Sequence, residues 1–388
     1  MLNRQGLDSI LREAVTSEAM PGIVAVAATD RGILYEEAFG KRELSKDAPM
    51  TVDTVVWIAS MTKAITATAA MQLVEQGKLS LDRPAADVVP ELATAKVLEG
   101  FDAAGKPRLR APKRPITLRH LLTHTAGFGY EIWAPAIAKY QEATGTPGIT
   151  TCTNAALTTP LLLDPGDRWE YGINIDWVGK MVEAMSGQML DRYFREHIFG
   201  PLGMTDTSFK LSPAQRARLA SIHQRGADGA LAPIEFGLPE EPEFLMGGGG
   251  LYGTAGDYLA FGQMILHEGS FEGNRLLRSE TVAQMAQNHI DTLEVGVLKS
   301  AMPTLSNDVG LLPGMSKKWG LSFLINTQQA PTGRSAGSLA WAGLANTYFW
   351  IDRTKQVCGV FLSQVFPFYD HTAIDLFVKF ETEVYRAL

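Results

Sequence analysis

The stretch Thr54-Val55-Val56-Trp57-Ile58-Ala59-Ser60-Met61-Thr62-Lys63 carries an extended apolar run into a polar turn, after which Ala64, Ile65, Ala69 and Leu73 recur at helical spacing until Gly77. Ser60 therefore stands where a strand ends and a helix begins. A serine three residues ahead of a lysine on a helix shares a face with it, which brings the amine within reach of the hydroxyl. The helix N-terminus adds partial positive charge that favours an alkoxide and, together with burial, disfavours the ammonium form. A neutral Lys63 could then serve as base for a Ser60 nucleophile. No other lysine of the chain has a serine three residues before it. The pair alone also fits an N-cap serine beside a solvated lysine. A spacing of this kind arises about once by chance in a chain of this length, so the flanking sequence has to decide.

Upstream, Leu7, Ile10, Leu11, Ala14 and Val15 lie at helical spacing and Pro21-Gly22 ends the pattern, predicting an opening helix over 7–18. Apolar runs Ile23 to Ala28 and Ile33 to Phe39, split by Thr29-Asp30-Arg31-Gly32, predict a hairpin. At the other end, strand-like runs at about 319–326, 338–351 and 356–365 are joined by Thr327 to Gly337 and by Asp352-Arg353-Thr354-Lys355. A closing helix follows, with Ile374, Phe377, Val378 and Val384 on one face. The expected architecture is α+β: an antiparallel sheet of about five strands or slightly more, flanked by the terminal helices. Residues 60–225 read as helix and loop with stops at Gly77, Gly127, Gly187 and Gly203. The expected domain organisation is a discontinuous sheet domain, 1–59 with 226–388, and an inserted, mainly helical subdomain over 60–225.

At 388 residues, 46% hydrophobic and 20% charged, the chain can bury a sizeable core. Its net charge of −7, from 35 basic and 42 acidic residues, without a Lys/Arg stripe, argues against a nucleic-acid partner. Cys152 and Cys358 stand far apart and form no disulfide framework or CxxC motif. No apolar run approaches the ~20 residues that cross a bilayer, so no membrane association is expected. The first residues, MLNRQGLDSILREAV, lack an apolar signal core, and a cytoplasmic location is expected.

Three decoys need weighing. Gly247-Gly248-Gly249-Gly250 lacks the Gly-Lys-Ser/Thr of a phosphate loop and suits a tight backbone approach instead, so no nucleotide cofactor is expected. Gly333-Arg334-Ser335-Ala336-Gly337 matches the G-x-S-x-G nucleophile elbow. Polar residues precede it and a strand follows, where an elbow needs a strand before and a helix after. His120 and His124 could be two metal ligands on one helix, yet no Glu joins them as in H-E-x-x-H. A structural histidine pair, and no metal, is expected.

Ser60-Met61-Thr62-Lys63 is followed by Tyr171-Gly172-Ile173, with Asp164-Pro165-Gly166-Asp167-Arg168-Trp169-Glu170 leading in, and then by Trp341-Ala342-Gly343. In the order and spacing of these three motifs, nearly the whole sequence resembles the serine β-lactamase and penicillin-binding-protein superfamily, in its class C and family VIII carboxylesterase branch. Leu121-Leu122-Thr123-His124-Thr125-Ala126-Gly127 and Gly249-Gly250-Leu251-Tyr252-Gly253 look like structural signatures of the same superfamily. The resemblance implies a catalytic set of Ser60, Lys63 and Tyr171, with Tyr171 as proton carrier if nearby cation and hydrogen bonds lower its pKa. It also implies an oxyanion hole from the backbone N–H groups of Ser60 and Leu344.

Two departures from the family pattern matter. Ile173 replaces a polar residue, so a side-chain amide that would hold a substrate carbonyl is missing unless Asn174 substitutes. Trp341, with Gly343 on the substrate-binding strand, replaces the lysine of a K-T-G triplet, and a flat apolar wall there suits a neutral ester better than a β-lactam carboxylate. The expected activity is hydrolysis of short-chain or neutral carboxylic esters, a small-molecule substrate class, through an acyl-enzyme at Ser60. The alternatives are a β-lactamase or D-amino-acid peptidase of the same fold, an acyltransferase, and a non-catalytic acyl-binding protein.

Overall fold

Strands buried on both faces need mostly apolar side chains, and the central strands of the computed structural model, which describes residues 2–388, have them. The main sheet has seven strands: β1 (Gly22–Thr29), β2 (Gly32–Gly40), β3 (Lys317–Trp319), β4 (Leu324–Asn326), β5 (Leu339–Gly343), β6 (Thr347–Asp352) and β7 (Val357–Leu362). Their order across the sheet is β3-β4-β5-β6-β7-β1-β2, and every neighbouring pair is antiparallel. The opening hairpin thus pairs with the last long strand, Val24 opposite Leu362, which joins the two ends of the chain.

Side chains alternate between two cores. Val24, Val26, Trp341, Phe349 and Ile351 enter one, and Ile23, Ala25, Ala340, Ala342, Tyr348 and Trp350 enter the other. Five helices matter below: α1 (Arg4–Thr16), α2 (Thr62–Glu75), α3 (Asn174–Ser186), α4 (Ala255–Leu266) and α5 (His371–Ala387). α1 and α5 cover the second face, with Leu7 and Leu11 beside Phe377 and Phe380. On the first face α4 lies across β1, β6 and β7, and α2 packs on α3 beyond it. Residues 60–225 contribute no strand to this sheet.

The expected α+β fold with an antiparallel sheet is present, both terminal helices lying on one face of the sheet, with three further differences in detail. The runs at 319–326 and 338–351 are hairpins, not single strands. Their turns, around Ser322 and Asn346, are buried and turn through left-handed backbone (φ 76° and 59°). They lack the polar, solvent-facing punctuation that marks most turns. In α5 the buried stripe runs through Ala373, Leu376, Phe377, Phe380 and Val384, while Val378 is 41% exposed. One residue past Phe377, Val378 is rotated about 100° away from the sheet. Residues 60–225 also contain a two-stranded hairpin, Val97–Phe101 with Pro107–Arg110, that the helix-and-loop reading omitted.

The G-x-S-x-G stretch lies in the loop between β4 and β5, with no helix after it. Arg334, 3% exposed, makes a two-pronged ion pair with Glu381 of α5 (Nε–Oε1 2.7 Å, Nη2–Oε2 2.5 Å), and Thr332 also donates to Glu381. The Ser335 N–H donates to Asp352, which also accepts from the Tyr385 hydroxyl. The loop is a clamp between sheet and closing helix. Removing one partner of a buried pair leaves the other charge uncompensated, so Glu381→Ala should lower stability by about 3–5 kcal/mol in urea denaturation. A loss well under 1 kcal/mol, by the same reasoning, would mean the pair is not structural.

Candidate active site

The segment ahead of α2 is bolted from several sides. Val56–Trp57 pairs with Tyr252–Gly253, the Trp57 indole donates to the Gly249 carbonyl at 2.8 Å, and Ile58 N–H donates to Leu251 O. Thr62 Oγ1 donates to Ala59 O (2.7 Å) and accepts from Leu251 N–H (3.1 Å). Ala59 is left-handed (φ 45°), an unfavourable conformation for a residue with a Cβ that persists only where the surroundings impose it. Ser60 follows, half-buried in a stretch otherwise buried, in a single 3₁₀ turn running into α2. The strand-to-helix junction read from the sequence is present.

α2 is buried all round from Thr62 to Leu73, which its small Ala and Thr side chains permit. Lys63 is therefore 1% exposed. Its amine has three neighbours: Ser60 Oγ at 3.0 Å, the Tyr130 hydroxyl at 3.0 Å and the Gly248 carbonyl at 2.5 Å. A carbonyl can only accept, so one N–H is committed to Gly248. In the neutral amine a second N–H and one lone pair remain for the two hydroxyls. Burial pushes the Lys63 pKa below the ordinary lysine range, partly opposed by the charge of Asp176. The amine can thus take the Ser60 proton directly.

Tyr171, 3% exposed, precedes α3 and comes to the same point. Its ring lies 4.9 Å from Lys63 Nζ, and its hydroxyl accepts from the Trp341 indole N–H at 3.0 Å, with the Ser60 side chain near enough to lower its pKa. The pKa of Tyr171 is nonetheless raised. Burial outweighs the two hydrogen bonds that lower it. The lowered phenol anticipated from the sequence is therefore corrected: the resting site holds a neutral phenol beside a weakly basic amine. Aromatic rings enclose it, Tyr130, Trp133 and Trp341 all lying with centroids 5.0–5.5 Å from that of Tyr171.

Trp341 and Gly343 share the face of β5 that looks toward Ser60, as the period of two requires. A Cβ on Gly343 would fall 2.3 Å from the Ile58 carbonyl oxygen, so only glycine lets the strand end against the segment that carries Ser60. Leu344, half-buried, opens the β5–β6 turn beside it. Among the described residues neither the Ser60 nor the Leu344 N–H donates to a carbonyl elsewhere in the chain.

Asn174 does not stand in for the missing amide. It is fully buried, and its side-chain nitrogen is 2.9 Å from His124 Nδ1, with the Phe128 and Glu170 carbonyls near. His120 and His124 do not share a helix, because the helix stops at Leu122 and His124 is left-handed (φ 55°). His120 instead completes a capping box with Thr117. Among the described residues, no group of three or more His, Cys, Asp or Glu could hold a metal ion, and no helix is long and apolar enough to cross a membrane.

Two residues of the site were missed. Tyr130 follows the Leu121–Gly127 signature, and the alternation Gly127-Phe128-Gly129-Tyr130 was a signal of a chain threading past something. Asp176, fully buried, is a lone acid in the apolar run Ile175 to Val178. An isolated charge at the start of a buried helix was its signal.

The family model "Beta-lactamase" matches residues 7–381. The chain is 33% identical to monacolin J acid methylbutanoyltransferase of Aspergillus terreus (98% of this chain, 95% of that one) and 32% identical to lovastatin esterase of Penicillium rubens (98% of each). Among solved structures, unliganded simvastatin synthase from Aspergillus terreus superposes with a TM-score of 0.88 at 33% identity, covering 99% of this chain and 98% of the other. The first two names are those of an acyl-group transferase and an esterase.

The Trp341 indole N–H is a fixed donor to the Tyr171 oxygen. Trp341→Phe keeps the aromatic wall and removes only that donor, so kcat for an ester substrate should fall about tenfold, the worth of one hydrogen bond at a reacting group, with KM little changed. Equal kcat in the two proteins would remove Trp341 from the tyrosine's support.

Proposed function

The chain belongs to the Beta-lactamase family, and on that premise we propose that it is a serine carboxylesterase that cleaves neutral carboxylic esters through an acyl-enzyme at Ser60. One observation carries this: the Lys63 amine contacts the Ser60 hydroxyl with the Tyr171 phenol converging beside them, and where the family's third motif brings a lysine, this chain brings the apolar Trp341. Ser60 gives its proton to Lys63 as Oγ bonds to the ester carbonyl carbon. The backbone N–H groups of Ser60 and Leu344 hold the oxyanion as it forms. When the intermediate collapses, Tyr171 protonates the departing alkoxide and regains a proton from the Lys63 ammonium. The proton lost by serine has then reached the leaving group, and water repeats the sequence to release the acid.

A second reading, acyl transfer to an alcohol, is favoured by a specific observation. The groups around Ser60 are buried aromatic side chains that present little to hold a water and much to hold an apolar acceptor. The relatives at 32–33% identity bear the names of a transferase and an esterase, so both acceptors are represented among them. A β-lactamase or peptidase role would need a cation for the substrate carboxylate, and Trp341 offers none.

Ser60→Ala should lower hydrolysis of p-nitrophenyl butyrate by roughly a thousandfold or more, and Ser335→Ala should leave it near the parent rate. The reverse result would move the nucleophile to Ser335. The parent protein should turn over the butyrate ester faster than a chromogenic cephalosporin, and a faster cephalosporin would favour the β-lactamase reading. Added alicyclic secondary alcohol should divert butyryl groups into a new ester detected by mass spectrometry; acid alone at every alcohol concentration would leave hydrolysis as the activity. Because Lys63 acts as the neutral amine and burial lowers its pKa to about 7, rates should be full above neutrality and fall as the pH drops through about 7 and the amine is protonated.

A further inference from the structure

Asp176 lies in the first turn of α3, fully buried, and no step above uses it. Its Oδ1 accepts the Gly248 N–H at 2.8 Å, while Oδ2 has no partner. The Gly248 carbonyl in turn takes the Lys63 amine. A Cβ on Gly248 would fall 2.6 Å from Oδ2, so the glycine tract passes this close only because it has no side chain there. Capping one N–H does not need a charge. A neutral amide would do it without the desolvation that a buried carboxylate suffers.

The surroundings single out what the charge is for. Facing the pair are Tyr130 and His124 from the loop after the Leu118–Leu122 helix, Tyr171 from the approach to α3, and Cys152 from the turn packed near Asp176. Burial holds His124 neutral by lowering it and keeps both phenols protonated by raising them, and it raises the Cys152 thiol to about 12. None of these carries charge at neutral pH. Burial raises Asp176 to about 6, which leaves it the anion at neutral pH; its field acts on Lys63, and Lys63, once protonated, is the cation that faces it.

We infer that Asp176 is a positioning residue for the reaction: through Gly248 it seats the Lys63 amine against Ser60, and its carboxylate offsets the charge that Lys63 acquires on taking the serine proton. The inference rests on the reading of Lys63 as base. The proton moves from Ser60 Oγ to Lys63 Nζ and returns through Tyr171; Asp176 gains and loses none. Without the carboxylate an uncompensated ammonium would form in a water-poor site, and the acylation transition state would rise with it.

Asp176→Asn keeps an oxygen for the Gly248 N–H and removes only the charge. With p-nitrophenyl butyrate, its kcat should fall about tenfold or more at an unchanged KM, and the acidic limb of kcat/KM should move down by roughly one pH unit, because an amine without a nearby anion loses its proton more readily. A side chain that merely props the glycine tract would leave both the profile and kcat as they were, and that result overturns the inference.

If this variant does not fold, thermal unfolding of Lys63→Met against Lys63→Met/Asp176→Asn decides. In Lys63→Met the stranded carboxyl has a raised folded pKa, so its stability should be greatest in acid and fall as pH rises, and the double variant should melt higher at pH 8. A pH-independent Lys63→Met no less stable than the double variant would also overturn it. Full activity of Ser60→Ala would instead sink the underlying serine reading, an outcome separable from either of these.

Discussion

An amine buried among apolar side chains governs this molecule. Lys63 is the second residue of a helix buried from Thr62 to Leu73, and water is replaced around it by one carbonyl, two hydroxyls and the field of one carboxylate. Everything nearby follows from making that seat. α2 is built from alanine and threonine so that other elements can close on it from every side, and Thr66 holds the Gly247 carbonyl at 2.7 Å to bring the glycine tract into place. The same burial that is costly for an ammonium favours the neutral amine, the form in which Lys63 is proposed to act as base.

The sheet supplies the second half of the geometry. In β5, positions 339, 341 and 343 face one core while 340 and 342 face the other, so the indole of Trp341 and the bare Cα of Gly343 arrive at the site together. One carries a donor to Tyr171 and the other permits contact with the carbonyl two residues before Ser60. A one-residue slip in register would bury Trp341 under the terminal helices and present Ala340 and Ala342 instead. The Arg334–Glu381 clamp ties the loop entering β5 to α5, well away from the chemistry.

Against the family pattern, the exchange of lysine for tryptophan in the third motif keeps an N–H donor at the tyrosine while removing a charge. The tyrosine keeps a support; the pocket loses its affinity for a carboxylate. Ile173 and the buried Asn174 add no polar group to the pocket, so under the proposed esterase reading selection among neutral esters falls to the shape of the aromatic wall.

Order along the chain was enough to recognise the family and the α+β class and to propose the triplet Ser60, Lys63 and Tyr171, because short-range spacing and alternation are local properties that survive without coordinates. The Ser60–Lys63 contact is a helical i,i+3 relation, and the two-faced burial of β1 is a period of two. Tyr130 and Asp176 were not legible in that way, since their meaning lies in which distant backbone they meet. Nor was the direction of the Tyr171 pKa, which depends on how completely neighbouring rings exclude water. The hairpin turns at Ser322 and Asn346 escaped for a related reason: they are stabilised from outside by burial, not from within by polar turn residues. The sequence alone therefore determined the chemistry available to this protein, while only the tertiary structure decided the protonation and surroundings of each group, because desolvation and close backbone approach are sums over residues far apart in the chain.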